Sequence, residues 1–234
     1  MASEPGNASE STWIAGASGA AGSVLAAVFG AAARARPTAK PLHPRGESMS
    51  GTVLRAGLEP GVGVRWIDEP GSDDAQVRLS RAIGLPGGWP DIFGLAIRIP
   101  VGPDRHGDVL FATTGRNVVG RFALLPRRLP TTGTYSTLIP YRTAAGPLLL
   151  SARPGRDRTF TLACARPARR WRTFGELTLE SVPPGDLGDA ADVGPSFDPV
   201  LNQIPGLAYY PWASRLREGA YRAARQSRGR NEPS

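Results

Sequence analysis

Three groups of residues in this 234-residue chain have types and spacings that could do chemistry. The first surrounds His43, one of two histidines: His43, Arg45, Gly46 and Gly51 form H-x-R-G-x-x-x-x-G ahead of an apolar run from Thr52. An imidazole titrates near neutral pH and can pass a proton, although a histidine beside a proline is usually a loop residue. The second group is VRLSRAIG, Val77–Gly84. In a strand, Arg78 and Ser80 project from one face while Val77, Leu79 and Arg81 project from the other, so a cation and a hydroxyl lie together. Taken alone, that pair reads equally as a solvated strand face. The third group is RLREGAYRAARQSRGR, in which Arg217 and Tyr221 are four apart and Arg228 lies seven beyond Tyr221. On a helix all three share a face. The plain alternative is a packed tyrosine with two exposed arginines.

The elements that must position these groups are mostly strands. Stretches near 52–57, 62–67, 76–82, 93–101, 108–114, 120–125, 135–141, 147–153, 158–165 and 174–182 are short, rich in Val, Leu, Ile, Phe and Thr, and bounded by Gly, Pro or Asp. So many strands without intervening helices predict a mainly β (α+β) protein, an antiparallel barrel or sandwich. Residues 183–195 read as a loop, and 196–212 as irregular chain, since Pro199, Pro205 and Pro211 block a long helix. A helix is expected over about 213–228, with Pro211 suited to its N-terminus.

Residues 1–10 are polar. Segment 11–33 carries no charge and is long enough to span a bilayer, but it is mostly Ala, Gly and Ser. It reads as a helical arm packed on the protein or on another subunit, with membrane association as the alternative. The domain boundaries follow: tail and arm over 1–36, one barrel domain with a C-terminal helix over 37–230, and a short tail over 231–234.

Composition excludes some functions. A single cysteine, Cys164, rules out an intrachain disulfide framework and a multi-cysteine metal site. It lies in the apolar run Thr159–Ala165 and is expected to be a buried, inert thiol, in keeping with a cytoplasmic location. The net charge is +8, with Lys40 the one lysine. The arginines are not interleaved with an aromatic platform, and no nucleic-acid-binding motif is present, so a nucleic-acid partner is not expected.

The three groups, in this order, resemble the haem catalases and their short relatives. H-x-R-G-x-x-x-x-G resembles the segment around the catalase distal histidine. VRLSRAIG resembles V-R-F-S-T-V-x-G, and GLAIRIP (Gly94–Pro100) resembles the strand that follows it. PGL (Pro205–Leu207) and R-x-x-x-Y-x-x-x-x-x-x-R resemble the approach to the proximal helix and the helix itself. The resemblance implies a catalase-like antiparallel barrel with an N-terminal helical arm and a C-terminal proximal helix, binding haem b. It assigns Tyr221 as the axial iron ligand; tyrosine-ligated haem is known from catalase. A phenol has a pKa near 10, and a guanidinium one turn away favours its ionised form, so Arg217 would assist Tyr221. By the same resemblance Arg78 and Lys40 would hold haem propionates and Arg228 would complete the helix motif. His43 would be the catalytic proton shuttle, with Ser80 hydrogen-bonded to it.

The sequence also departs from the family. Lys40 stands where catalases carry arginine, keeping the charge but losing bidentate geometry. The distal asparagine segment aligns with PDRHGDVLF, where His106 or Asp108 stands nearby instead. The helix lacks the family's Phe and Asp, and the chain is far shorter than a true catalase. Weak disproportionation of hydrogen peroxide is therefore expected, with peroxidase activity or conversion of an organic hydroperoxide favoured. The partners would be a peroxide and further copies of the chain. The rival reading is a haem-free, non-catalytic binding or scaffold barrel, associated with a membrane through 11–33.

Overall fold

The computed structural model describes residues 45–83, 88–181 and 195–214. Nine strands carry most of these residues: β1 (Arg45–Arg55), β2 (Gly71–Arg81), β3 (Phe93–Gly102), β4 (Arg105–Thr114), β5 (Thr134–Ser136), β6 (Tyr141–Thr143), β7 (Gly146–Pro154), β8 (Thr159–Ala165) and β9 (Arg172–Leu179). All pairings are antiparallel. The order β5-β4-β3-β2-β1-β9-β8-β7 closes because β5 also pairs with β7, giving an eight-stranded barrel with β6 added beside β7. The expected mainly β barrel is therefore present. The arm over 11–33, the helix beyond Ser214 and the expected boundaries at 36 and 230 fall outside the described residues. So do His43, Lys40, Arg217, Tyr221 and Arg228.

Alternation fills the barrel. Val53 of β1, Val77 and Leu79 of β2, Leu95 and Ile97 of β3, and Val109 and Phe111 of β4 are buried in one core. Phe160, Leu162 and Leu177 close it from the opposite wall. An eight-stranded barrel has room for little beyond its own side chains, so this interior is a packed core. Cys164 belongs to it, and burial pushes its thiol up to about 12, as an inert thiol requires.

Three expected strands are corrected. Over 62–67 the chain forms a loop and one helical turn, α1 (Arg65–Asp68), because the Asp68 carboxylate accepts the N–H groups of Val62, Gly63 and Val64 at 2.7–3.0 Å. Gly63, at φ +78, supplies a left-handed bend there. Over 120–125 a 3-10 turn (Gly120–Phe122) replaces the strand, fixed by the Gly115 N–H on the Gly120 carbonyl and the Gly120 N–H on Asn117 Oδ1. The stretch 135–141 ends its pairing at Ser136, whose Oγ accepts the Leu138 N–H while Leu138 takes φ +59. In each case local side-chain hydrogen bonds compete with the ladder.

The irregular segment 195–214 is strapped across β3 and β4. Arg98 and Asp108 form a two-pronged pair at 2.7 and 2.8 Å. Asp108 Oδ2 also accepts the Asp198 N–H and the Asn202 side-chain amide, while Arg98 donates to the Ser196 carbonyl. Ile204 then meets Gly107 so closely that a β-carbon there would lie 2.5 Å from Ile204 Cγ1. Tyr209 packs on Tyr141, with their hydroxyls 3.1 Å apart. Helical chain begins at Pro211, with the Ala213 and Ser214 N–H groups on the Tyr210 carbonyl. A helix near 213 with a proline at its entry is therefore seen at its start.

Asp108→Ala should cost about 2–4 kcal/mol in urea unfolding, because it removes the buried carboxylate that pairs the half-buried Arg98 and holds the strap. Asp108→Leu combined with Arg98→Met should recover much of that loss. Equal loss in the single and double variants would show that the strap, and not the ion pair, is what Asp108 stabilises.

Candidate functional site

Since Val77 and Leu79 point into the core, Arg78 and Ser80 point out of the barrel. Register then names their neighbours. Ser80 lies opposite Gly46 on β1 and Gly94 on β3, and Gly94 lies opposite Ala112 on β4. One row nearer the strap, Arg78 lies opposite Ser48 and Ala96, and Ala96 opposite Leu110. The outward face of β1–β4 is thus floored at this level by Gly46, Ser80, Gly94, Ala96 and Ala112. Ser80 is 4% exposed and Ala96 8%.

Gly46 shapes the site by lacking a side chain. A β-carbon there would fall 2.7 Å from Arg78 Nη2 and 2.8 Å from the Leu79 carbonyl oxygen, so the Arg78 guanidinium lies across the β1 backbone at that point. The motif glycine and the motif arginine, 32 positions apart, therefore fit together. The described chain begins at Arg45, opposite Arg81 and next to the Gly46–Ser80 row. Ser80 Oγ reaches the Gly94 carbonyl only at 3.5 Å, a long contact.

The inner-facing end of the same strand is anchored beneath. Arg81 is buried and lies 3.4 Å from Asp91, donates to the Trp89 carbonyl and sits over the Phe93 ring. Asp91 also accepts the Ile83 N–H, and its backbone exchanges two hydrogen bonds with Arg127. The expected opposition of Arg81 to Arg78 and Ser80 is thus present, and it fixes the register of the site row.

His106 and Asp108 do not join the site. In β4 the positions beside Ser80 and Arg78 are Ala112 and Leu110. Asp108 lies four residues from Ala112, roughly 13 Å along the strand, with its carboxylate committed to the strap. His106 is farther still, opposite Pro100 at the strand end. No polar β4 side chain therefore faces Ser80 across the floor. The small residues Ala96 and Ala112 were not singled out in the sequence. Their signal was an alternation of Gly or Ala with large apolar residues, which takes on meaning once the register aligns them.

A flat floor of small side chains beside a guanidinium suits a planar apolar group with an anionic edge. Among the described residues no cluster of three or more His, Cys, Asp or Glu could hold a bare metal ion.

No protein-family model matches the chain, and no curated protein does. Among solved structures, a fungal catalase matches with a TM-score of 0.58 at 12% identity, over 86% of this chain and 61% of that one. The chain thus spans about three fifths of the catalase's length. At that identity the likeness is one of architecture, and the chain has a catalase-like β-barrel fold.

Proposed function

We propose that the chain carries haem b on the outward face of β1–β4 and uses it for peroxide chemistry, as a peroxidase or a converter of organic hydroperoxides with weak catalase activity. The observation that carries this reading is the row Gly46–Ser80–Gly94–Ala112, with Arg78 laid across Gly46, on a barrel of catalase-like fold. The packed interior leaves the outer wall as the place for a planar group. When bound, haem would supply a ferric centre able to give two electrons to the O–O bond as it breaks.

The chain's own residues would do the rest. Arg78 would hold a propionate, aided by Lys40. Tyr221, kept ionised by the Arg217 guanidinium one turn away, would supply the axial oxygen, with Arg228 on the same helix face. The His43 imidazole would take a proton from one peroxide oxygen and return it to the other as their bond breaks. Ser80 would orient that imidazole. Ala112 and Leu110 offer no polar group to hold a small peroxide, whereas an apolar wall there suits an organic one. The same site serves the whole barrel domain expected over 37–230.

The protein reconstituted with haem should show a Soret band, and Tyr221→Phe should abolish or greatly alter it. An unchanged high-spin spectrum in that variant would remove Tyr221 as the ligand. Gly46→Val should also weaken haem uptake, since its side chain needs the space Arg78 occupies. Wild-type uptake in a folded Gly46→Val variant would move the site elsewhere.

His43→Ala should keep haem and lose peroxide turnover by roughly 10²-fold or more. At matched haem content, loss of an alkyl or lipid hydroperoxide should outpace oxygen release from hydrogen peroxide. Oxygen release within two decades of about 10⁸ M⁻¹s⁻¹ would overturn the substrate preference. Failure to bind haem at all would favour the non-catalytic scaffold reading.

A further inference from the structure

Charge is divided unevenly around the barrel. Residues 109–175 contain twelve arginines and one carboxylate, Asp157, whereas residues 45–108 contain seven arginines and nine carboxylates. A general bias toward arginine would raise both stretches alike; within the barrel this distribution loads the part from the β4–β5 connection to the start of β9. Two of those loops are joined into one surface. The Trp171 indole donates to the Arg116 carbonyl at 3.1 Å, and the Arg121 guanidinium lies 4.2 Å over the Trp171 ring. Arg121 also reaches the carbonyls of Asn117 and Arg166 at 3.4 Å.

Arg121 is 1% exposed, and among the described residues it has no carboxylate partner. Desolvation lowers its pKa, so the burial of this cation is not offset by a paired anion. It serves as the rivet that holds loop 115–121 against the turn 166–171. Around that rivet Arg116, Arg166, Arg169 and Arg170 are exposed. The Arg169 N–H bonds to the Arg166 carbonyl, a turn that brings those arginines close together. At the tip of the facing loop Val118 is 42% exposed and Val119 80%.

We infer that this surface docks on an anionic lipid bilayer, with Val118 and Val119 entering the headgroup boundary while Arg116, Arg166, Arg169 and Arg170 meet lipid phosphates and carboxylates. A pair of exposed apolar side chains ringed by arginines fits an interface that is apolar on one side and anionic on the other. Nucleic acid fits less well. Single strands call for exposed rings on which bases stack, and the one ring between these loops, Trp171, is covered by Arg121. The surface is independent of segment 11–33 and of any haem.

The test is flotation of the full-length protein with vesicles of 70% phosphatidylcholine and 30% phosphatidylserine, beside vesicles of phosphatidylcholine alone. The parent should float with the anionic vesicles only, and less as salt rises. Each arginine near such a surface is worth about fivefold in partitioning, so Arg166→Gln with Arg169→Gln and Arg170→Gln should weaken binding about hundredfold. Val118→Ser with Val119→Ser should weaken it about tenfold, by removing apolar burial. Unchanged thermal melting would show that both variants stay folded. Undiminished flotation of the triple variant would overturn the inference by placing binding on other segments. So would equal flotation on neutral vesicles, no flotation at all, or tighter binding to a single-stranded oligonucleotide than to anionic vesicles.

Discussion

Closure of the sheet is the constraint on which the rest of the molecule depends. Three residues, Thr134–Ser136, pair with β4 on one side, and two of them pair with β7 on the other. Without that short bridge the sheet would have two long open edges, which a closed barrel removes. Once the ring is closed, every strand must commit alternate residues to an interior that apolar side chains fill. A slip of one residue would exchange the faces of a whole strand. The core side of β2 therefore fixes its outer side: with Val77 and Leu79 inside, Arg78 and Ser80 can only face outward.

The closing strand is held by more than its ladder. Tyr135 points inward, meets Phe160 edge to face, and donates its hydroxyl hydrogen to the Pro130 carbonyl at 2.5 Å. Burial raises its pKa well above the ordinary phenol value, so the ring stays neutral in the core. Ser136, facing out, donates to the Arg121 carbonyl. One strand thus ties the core, the closure and the loop that carries Arg121.

The outer wall is used differently on its two sides. On β1–β4, glycine and alanine at outward positions leave a level floor, and the one long side chain in its middle, Arg78, lies flat over Gly46. Toward the other barrel end, Arg98 and Asp108 spend their charges on the strap that carries the chain to the helix start at Pro211. Around β5–β8 the carboxylates almost vanish and arginines dominate. Paired charges thus serve the strap, while arginines are gathered on the opposite part of the barrel.

Much of this was legible in the sequence. The density of short apolar runs and their turn residues determined a mainly β chain. Period-two alternation in Gln76–Ala82 put Arg78 and Ser80 on a common face, as the structure has them. The apolar run around Cys164 determined a buried thiol. What the sequence could not supply is which residue lies opposite which, because strand partners come from distant parts of the chain. Thus Gly46 was visible as a motif letter, but its contact with Arg78 follows from the pairing of β1 with β2. The alternation that holds Ala96 and Ala112 took on meaning only when register aligned them with Ser80, and Asp108 proved a strap residue once Asn202 and Asp198 were brought to it. The loops at 62–67 and 120–125 had strand composition, but Asp68 and Asn117 bent them through hydrogen bonds that depend on the folded backbone. Composition and alternation are properties of neighbouring residues, so the sequence by itself determined the faces. Register and closure join residues far apart, so only the tertiary structure decided what each face meets.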